Sequence, residues 1–322
     1  MDFSSPAQDM TMRLASIDIG TNTVLMLVAD VQRDGTLEVV RDEHFIGRLG
    51  KGVDEHGIIL QDTIRRVFDI LSRLKDIADS LSVQSIYASG TSALRDAKNS
   101  REFIEFVKEK LGFEIRILSG QEEAEWTYLG AVSEYLPQEG SENYTVIDIG
   151  GGSTEIINGS GTTIASSVSI DMGSVRLTER ILKESPPGPE ELENAVQFVH
   201  GHLQNLFPLP PATTIIGVAG TLTTLAALDL RIPEYDRNLV HKHLLSSGAI
   251  DRIFQELRPL TLDQLRSYPQ IHPSRADILL AGIIILREFM RKVDASIIMV
   301  SDRGLRYGMA ITTAQSLFKG AL

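Results

Sequence analysis

The strongest constraint on this chain is that it carries one Asp-Gly segment twice. Laying "SIDIGTNTVLMLVADVQRDGTLEVV" (Ser16 to Val40) beside "VIDIGGGSTEIINGSGTTIASSVSI" (Val146 to Ile170) aligns Asp18 with Asp148 and Gly20 with Gly150. In each copy an apolar run ends in Asp, a Gly/Thr/Ser turn follows, and two more alternating runs return through a polar turn. That reads as a three-stranded antiparallel meander. One copy alone would pass for an ordinary hairpin, since Gly-rich turns are common. Two copies point to a duplicated architecture.

The segments that follow fit this. Ile64, Val67, Leu71, Leu74, Ala78 and Leu81 recur on one helical face, and then come a strand (Val83 to Ser89), a helix (Arg101 to Leu111) and a strand (Phe113 to Leu118). The order is βββαβαβ. The second half repeats it with insertions, with helical segments after Ser174 and Glu190, a strand at Thr213 to Val218, a helix after Thr221, a strand at Ser296 to Val300 and a last helix after Gly304. The fold class is therefore α/β with two halves, and halves that face one another would bring both Asp-Gly turns to one cleft, where ligands preferentially bind. The domains are expected at 1–122 and 123–305, with the last helix, 306–322, folding back onto the first. The junction falls in a helix that ends in the Pro/Gly/Ser/Asn-rich linker "YLPQEGSENY" (Tyr135 to Tyr144).

Composition excludes several function classes. A formal charge of −12 opposes broad binding to nucleic acid or anionic membrane, so neither is expected as a partner. An anionic substrate must then be held locally, by backbone N–H groups, a few arginines and a bridging cation. The absence of cysteine removes disulfides, thiolate metal sites and cysteine nucleophiles. The N-terminal "MDFSSPAQDMTMRL" lacks the pattern of a leader and no later run suits a membrane span, so a cytoplasmic location is expected.

Asp18 and Asp148 are candidate ligands for a hard cation such as Mg²⁺ bridging to phosphate oxygens. Their bland alternative is local capping of each turn. Gly20, Thr21, Asn22 and Thr23 in the first turn, and Gly150, Gly151, Gly152, Ser153 and Thr154 in the second, offer N–H and hydroxyl donors, although neither turn matches the Walker A or dinucleotide fingerprint. Glu155, just after the second turn, is a further candidate metal ligand or a rim acid. In "GVAGTLTTLAAL", Gly220 and Thr221 join a strand to a helix whose N-terminus could hold another anion.

The set "DIGTNT", "SGTSALRDA", "ILSGQEEAEWTYLGA", "VIDIGGGSTEI", "GVAGTLTTLAAL", "RADILLAGIIIL" and "VSDRGLRYGM", in that order, resembles the exopolyphosphatase and guanosine pentaphosphate phosphohydrolase family over nearly the whole chain. The Asp-Gly turns recur across the actin-like ATPase superfamily; the Ser-Gly-x-Glu-Glu-Ala segment is far more specific. The resemblance implies two duplicated actin-like ATPase (ribonuclease H-like) domains of βββαβαβα type facing a central cleft. Thr21 stands where serine is usual and Tyr307 where glutamate is usual.

Ser119 and Glu122 have the spacing of a capping box, which makes Glu122 structural. Glu123, rotated by about 100° on the helix, is free to face the cleft, and it matches the family's catalytic glutamate, which orients and deprotonates the attacking water. Glu125 is left as a solvated group. Arg95 matches an arginine that contacts the reacting phosphate; its bland alternative is a surface ion pair with Asp96 or Glu102. Arg275 and Arg306 are lesser candidates of the same kind. His200 with His202, and His241 with His243, are two apart and make no convincing metal site. Trp126 and Tyr128 read as core or interface residues.

The resemblance implies Mg²⁺-assisted removal of the terminal phosphoryl group of inorganic polyphosphate, with guanosine pentaphosphate hydrolysis as the closest rival, its nucleoside recognised near Gly220. It also suggests a homodimer. Some members carry an extra C-terminal helical domain that grips long chains; this sequence ends at Leu322 without it, so shorter preferred chains are expected. Two readings from other classes are an actin-like kinase or nucleotide switch and a non-catalytic sensor of a phosphorylated alarmone. The first lacks an acceptor-substrate motif, and the full set of candidate catalytic groups speaks against the second.

Overall fold

The computed structural model describes residues 11–135 and 143–320. The leader reading of the first residues, most of the linker "YLPQEGSENY" and the last two residues lie outside these.

The first unit opens with the expected meander, β1 (Thr11–Ile19), β2 (Thr23–Gln32) and β3 (Leu37–Ile46), and continues through α1 (Val53–His56), α2 (Gln61–Ser80), β4 (Ser85–Gly90), α3 (Ser92–Asp96), α4 (Ser100–Leu111) and β5 (Ile115–Ile117). Its sheet has the order β3-β2-β1-β4-β5, with β1 antiparallel to β2 and parallel to β4. After α5 (Gly120–Val132) the second unit repeats the plan with β6 (Asn143–Ile149), β7 (Thr154–Ser160), β8 (Thr163–Ile170), α6 (Ser174–Arg180), α7 (Pro189–Leu203), β9 (Thr214–Val218) and α8 (Gly220–Leu230). It is completed by α9 (Arg237–Val240), β10 (Leu244–Ser246), α10 (Ser247–Leu257), α11 (Leu262–Arg266), α12 (Leu279–Lys292), β11 (Ile297–Val300) and α13 (Leu305–Phe318).

The second sheet runs β10-β11-β9-β6-β7-β8. Removing β10 leaves the order of the first sheet, so each unit is a ribonuclease H-like domain and the pair has the duplicated actin-like architecture. The edge strand β10 was not read from the sequence; three residues are too few for an alternation to register. Among the described residues no helix is long and apolar enough to cross a membrane.

The period of two along each central strand decides where the aspartates point. Ala15, Ile17 and Ile19 pack into the core under α2 and α4, whereas Leu14 joins the cluster containing Tyr307, Ala310 and Ala314 of α13. Asp18 shares the parity of Leu14 and so faces the α13 side. In β6, Ile147 and Ile149 enter the large core of the second unit, while Tyr144 and Val146 pack with Ala124 and Tyr128 of α5. Asp148 therefore faces α5. These two helices pack on one another, and glycines permit the close approach: a Cβ on Gly130 would lie 2.2 Å from Gly304 O, and one on Gly308 would lie 1.7 Å from Trp126 O. Both aspartates thus aim at one helix pair between the two sheets.

Candidate active site

The two turns are built alike. Gly20 N–H donates to Thr23 O at 2.8 Å and Gly150 N–H to Ser153 O at 3.0 Å. The N–H groups of Thr21, Asn22, Gly151 and Gly152 find no protein acceptor among the described residues, which leaves them for a ligand. The turns also touch: a Cβ on Gly151 would lie 3.0 Å from Thr21 Cβ, and one on Gly152 would lie 2.8 Å from Thr21 Oγ1. Among the described residues the buried amide Nδ2 of Asn22 has no hydrogen-bond partner. Thr154 differs from its sequence reading, because it is fully buried and its hydroxyl donates to Met172 O at 2.5 Å, so it offers no donor to a phosphate.

Four carboxylates gather behind these turns. Asp148 and Glu155 sit directly opposite one another on β6 and β7. Burial, reinforced by Glu123 and Asp148, raises Asp18 to about 8. Burial and Glu123 raise Asp148, and burial with Glu123 and Asp148 raises Glu155 well above the usual carboxylate range. Ser169 Oγ donates to Glu155 Oε1 at 2.7 Å, whereas among the described residues the buried Asp18 Oδ1 has no hydrogen-bond partner. Uncompensated negative charge with an orphaned oxygen is what a hard dication would satisfy. Among the described residues no three acidic or histidine side chains form a ready-made cage.

Helix α5 supplies the fourth carboxylate. Its capping box forms as the spacing predicts, with Ser119 N–H donating to Glu122 Oε2 at 2.9 Å and Glu122 N–H to Ser119 Oγ at 3.2 Å. Glu123, one step round the helix, is 8% exposed and accepts from Arg95 Nη1 at 2.6 Å. Arg95 also donates to Leu118 O at 2.9 Å. Its ion pair is therefore with Glu123, neither Asp96 nor Glu102, and the two residues singled out for catalysis meet. Burial raises Glu123, and Arg95 holds the rise in check.

A third wall comes from α8. Ala219, its N-cap, has φ 72 and ψ 179, a conformation suited to glycine and costly for any other residue. Arg275 crosses above the next residue so closely that a Cβ on Gly220 would lie 1.2 Å from its Nη1. Among the described residues Arg275 has no acidic partner, and burial pushes it down to about 10. Thr221 is buried against α12, where a Cβ on Gly282 would meet its Oγ1 at 2.2 Å. Asn22, Thr23, Gly150, Gly220 and Arg275 enclose a cavity of about 50 Å³, room for a few waters.

Other candidates are placed elsewhere. Arg306 is committed to Asp42, with both bonds at 3.0 Å, and to Asp302 O, so it offers no open fork to a phosphate. His200 pairs with Glu288, His241 with Glu134 and Asp302, and His243 with Asp229. Tyr128 is core, 1% exposed, and Trp126 of α5 packs against Leu305 and Met309 of α13 under Arg116.

Sequence reasoning missed the residues that close the cleft. Arg176 of α6 donates to Gly152 O at 2.9 Å and reaches across to Asp54 and Asp96 of the first unit, both at 2.5 Å. Arg180 binds Asp54 twice at 2.6 Å, Gly52 N–H donates to Glu179 at 3.1 Å, and Arg48 binds Asp277 at 2.7 Å. Cross-domain partners separated by 80 to 229 residues leave no local signal.

The chain is similar to known proteins over most of its own length. The Ppx/GppA phosphatase family model fits residues 27–317. Exopolyphosphatase 2 of Mycobacterium tuberculosis is 35% identical over 317 residues, which is 94% of this chain and 98% of that protein. The guanosine-5'-triphosphate,3'-diphosphate pyrophosphatase of Vibrio parahaemolyticus is 28% identical over 309 residues, 94% of this chain and 59% of its own length. The crystal structure of the Aquifex aeolicus Ppx/GppA family member superposes with a TM-score of 0.80 at 33% identity, covering 97% of this chain and all of that one. A family match from 27 to 317, a relative at 35% identity and a shared fold agree: this chain is a hydrolase that belongs to the Ppx/GppA phosphatase family.

Proposed function

We propose that this enzyme is an exopolyphosphatase, releasing orthophosphate from the end of inorganic polyphosphate. The observation that carries the reading is the contact of Arg95 with Glu123 at 2.6 Å, beside the carboxylates that terminate both central strands. The free N–H groups of Thr21, Asn22, Gly151 and Gly152 would bind the equatorial oxygens of the terminal phosphoryl group. Arg95 would exchange its bond with Glu123 for the substrate, a fork suited to phosphate oxygens. The released Glu123 then holds a water by hydrogen bond and accepts its proton as the oxygen attacks phosphorus in line with the leaving anhydride oxygen. Burial raises the basicity of Glu123, and losing the Arg95 bond would raise it further. Mg²⁺, held by Asp18 and Asp148 with Glu155 behind them, would neutralise charge developing on the phosphoryl oxygens.

The guanosine pentaphosphate reading uses the same groups and draws on the Vibrio relative. Polyphosphate is favoured because the exopolyphosphatase relative is 35% identical and matched over 98% of its length, against 28% and 59% for the Vibrio protein. The test is Mg²⁺-dependent phosphate release from short and long polyphosphates, guanosine pentaphosphate and ATP, with Glu123→Gln as control. General-base removal costs about 10²- to 10⁴-fold, so loss of polyphosphate hydrolysis in a folded variant supports the assignment. Release from guanosine pentaphosphate alone selects the rival, and an active variant removes Glu123 from the mechanism.

A further inference from the structure

A cavity bordered by the second unit lies away from the cleft, at the far end of α8. It encloses about 330 Å³ between the C-terminus of α8, the face of α10 and the segment after α11. That is within the range of small-molecule sites, about 300–1,000 Å³. Helix α8 has its first residue, Gly220, at the catalytic cleft and its last turn at this cavity; eleven residues at about 1.5 Å each separate the two by roughly 16 Å.

The cavity is held open by specific tethers. Gln270 Nε2 donates to Ile232 O at 2.7 Å on one side, and Tyr268 Oη donates to Glu256 Oε1 at 3.1 Å on the other. The floor is apolar, formed by Leu228, Ile253 and Leu257, all less than 10% exposed. At the rim stand two guanidinium groups. Arg252 is held by Asp229 through a 2.6 Å bond from one nitrogen. Arg231 is exposed and has no acidic or hydrogen-bonding partner for its side chain among the described residues. It also sits at φ 53, a backbone position where glycine or asparagine would be cheaper. In a chain with a net charge of −12, an unpaired cation beside a preformed apolar hollow is distinctive.

We infer that this cavity binds an aromatic phosphate of nucleoside monophosphate size. The ring would lie on the apolar floor against Tyr268, and the phosphate would engage Arg231 and Arg252. The second oxygen of Glu256 would accept from a ring amino group. A bare inorganic anion would gain nothing from the floor, and an aliphatic chain would leave both guanidinium groups unused.

The test is calorimetric titration of the full-length protein with AMP and with GMP, repeated in Arg231→Gly and Tyr268→Ala. Arg231→Gly deletes the guanidinium while suiting the left-handed backbone, so its thermal midpoint should not fall, which keeps the result interpretable if Tyr268→Ala folds poorly. The expected result is binding of at least one nucleotide at submillimolar Kd, weakened about tenfold or more in Arg231→Gly. Inorganic tripolyphosphate, a ligand for the cleft, should not displace it. The inference is overturned if neither nucleotide binds at millimolar concentration, if Arg231→Gly binds as tightly as the parent, or if tripolyphosphate competes.

Discussion

Arg176→Ala should loosen the closed cleft more than any other single change outside the catalytic groups. The Arg176 side chain is 11% exposed, and its three nitrogens reach Gly152 O, Asp54 and Asp96. Breaking a buried ion pair by deleting one partner costs about 3–5 kcal/mol. Here the cost is lower, because Asp54 keeps Arg180 and the Asp96 side chain is 38% exposed. Losing the bond to Gly152 O adds about 1 kcal/mol. The closed state should therefore lose about 2–3 kcal/mol, which corresponds to roughly a 30- to 150-fold fall in kcat/KM. The assay is steady-state phosphate release over a range of substrate concentrations, with the loss expected mainly in KM, because the groups that react are untouched. Arg176→Lys should recover only part, since an ammonium cannot serve three acceptors with the geometry of a guanidinium fork. Pairing Arg176→Ala with Asp96→Ala in a double-mutant cycle should give a coupling of about 0.5–3 kcal/mol. A variant within threefold of the parent, with unchanged KM, would refute the reasoning that this arginine holds the cleft shut during turnover.

Three further outcomes follow from packing and charge. Gly308→Ala places a methyl 1.7 Å from Trp126 O, so α13 must move off α5; a destabilisation of about 1–3 kcal/mol should appear in chemical denaturation. Burial pushes Glu134 up, but the His241 hydrogen bond and nearby cations outweigh it and hold the carboxyl at about 2; His241 is in turn raised by Asp302 and Glu134 against its own burial. The carboxylate's contribution is lost as pH falls toward 2, and the histidine's is lost as pH rises through its raised value. Glu134→Gln should therefore cost most stability between about pH 4.5 and 6.5, and a parent-minus-variant difference in thermal midpoint that is flat with pH would contradict the pairing. Burial raises Asp18 to about 8, so the metal-free protein should lose stability as pH climbs from about 4 to 8. Asp18→Asn should flatten that slope and abolish any rise in thermal midpoint on adding Mg²⁺; a variant that still responds to Mg²⁺ would move the cation elsewhere.

What could be read from the sequence was whatever local periodicity encodes. The equivalence of Asp18 and Asp148 is visible because a strand has a period of two and each run ends in the same Asp-x-Gly turn. The separation of Glu122 from Glu123 is visible because a capping box is a three-residue spacing, and the structure closes that box. Thr154 misleads for the same reason that Asp148 does not. It lies at the first position of β7, where alternation turns its hydroxyl into the protein toward Met172 O, and composition of the turn alone carries no sign of that.

The residues that sequence could not supply are those whose partners are distant. Asp54 lies 122 residues from Arg176 and Asp277 lies 229 from Arg48, so their pairing exists only once both sheets are folded and facing. This has a physical consequence for the site. The carboxylates repel one another and favour opening, while the cross-domain ion pairs favour closure at the rim of the same cleft. A cation bound by the carboxylates would remove the opening force without touching the rim. Domain closure and cation binding would then be coupled through charge, across the α5 and α13 pair packed through Gly130 and Gly308.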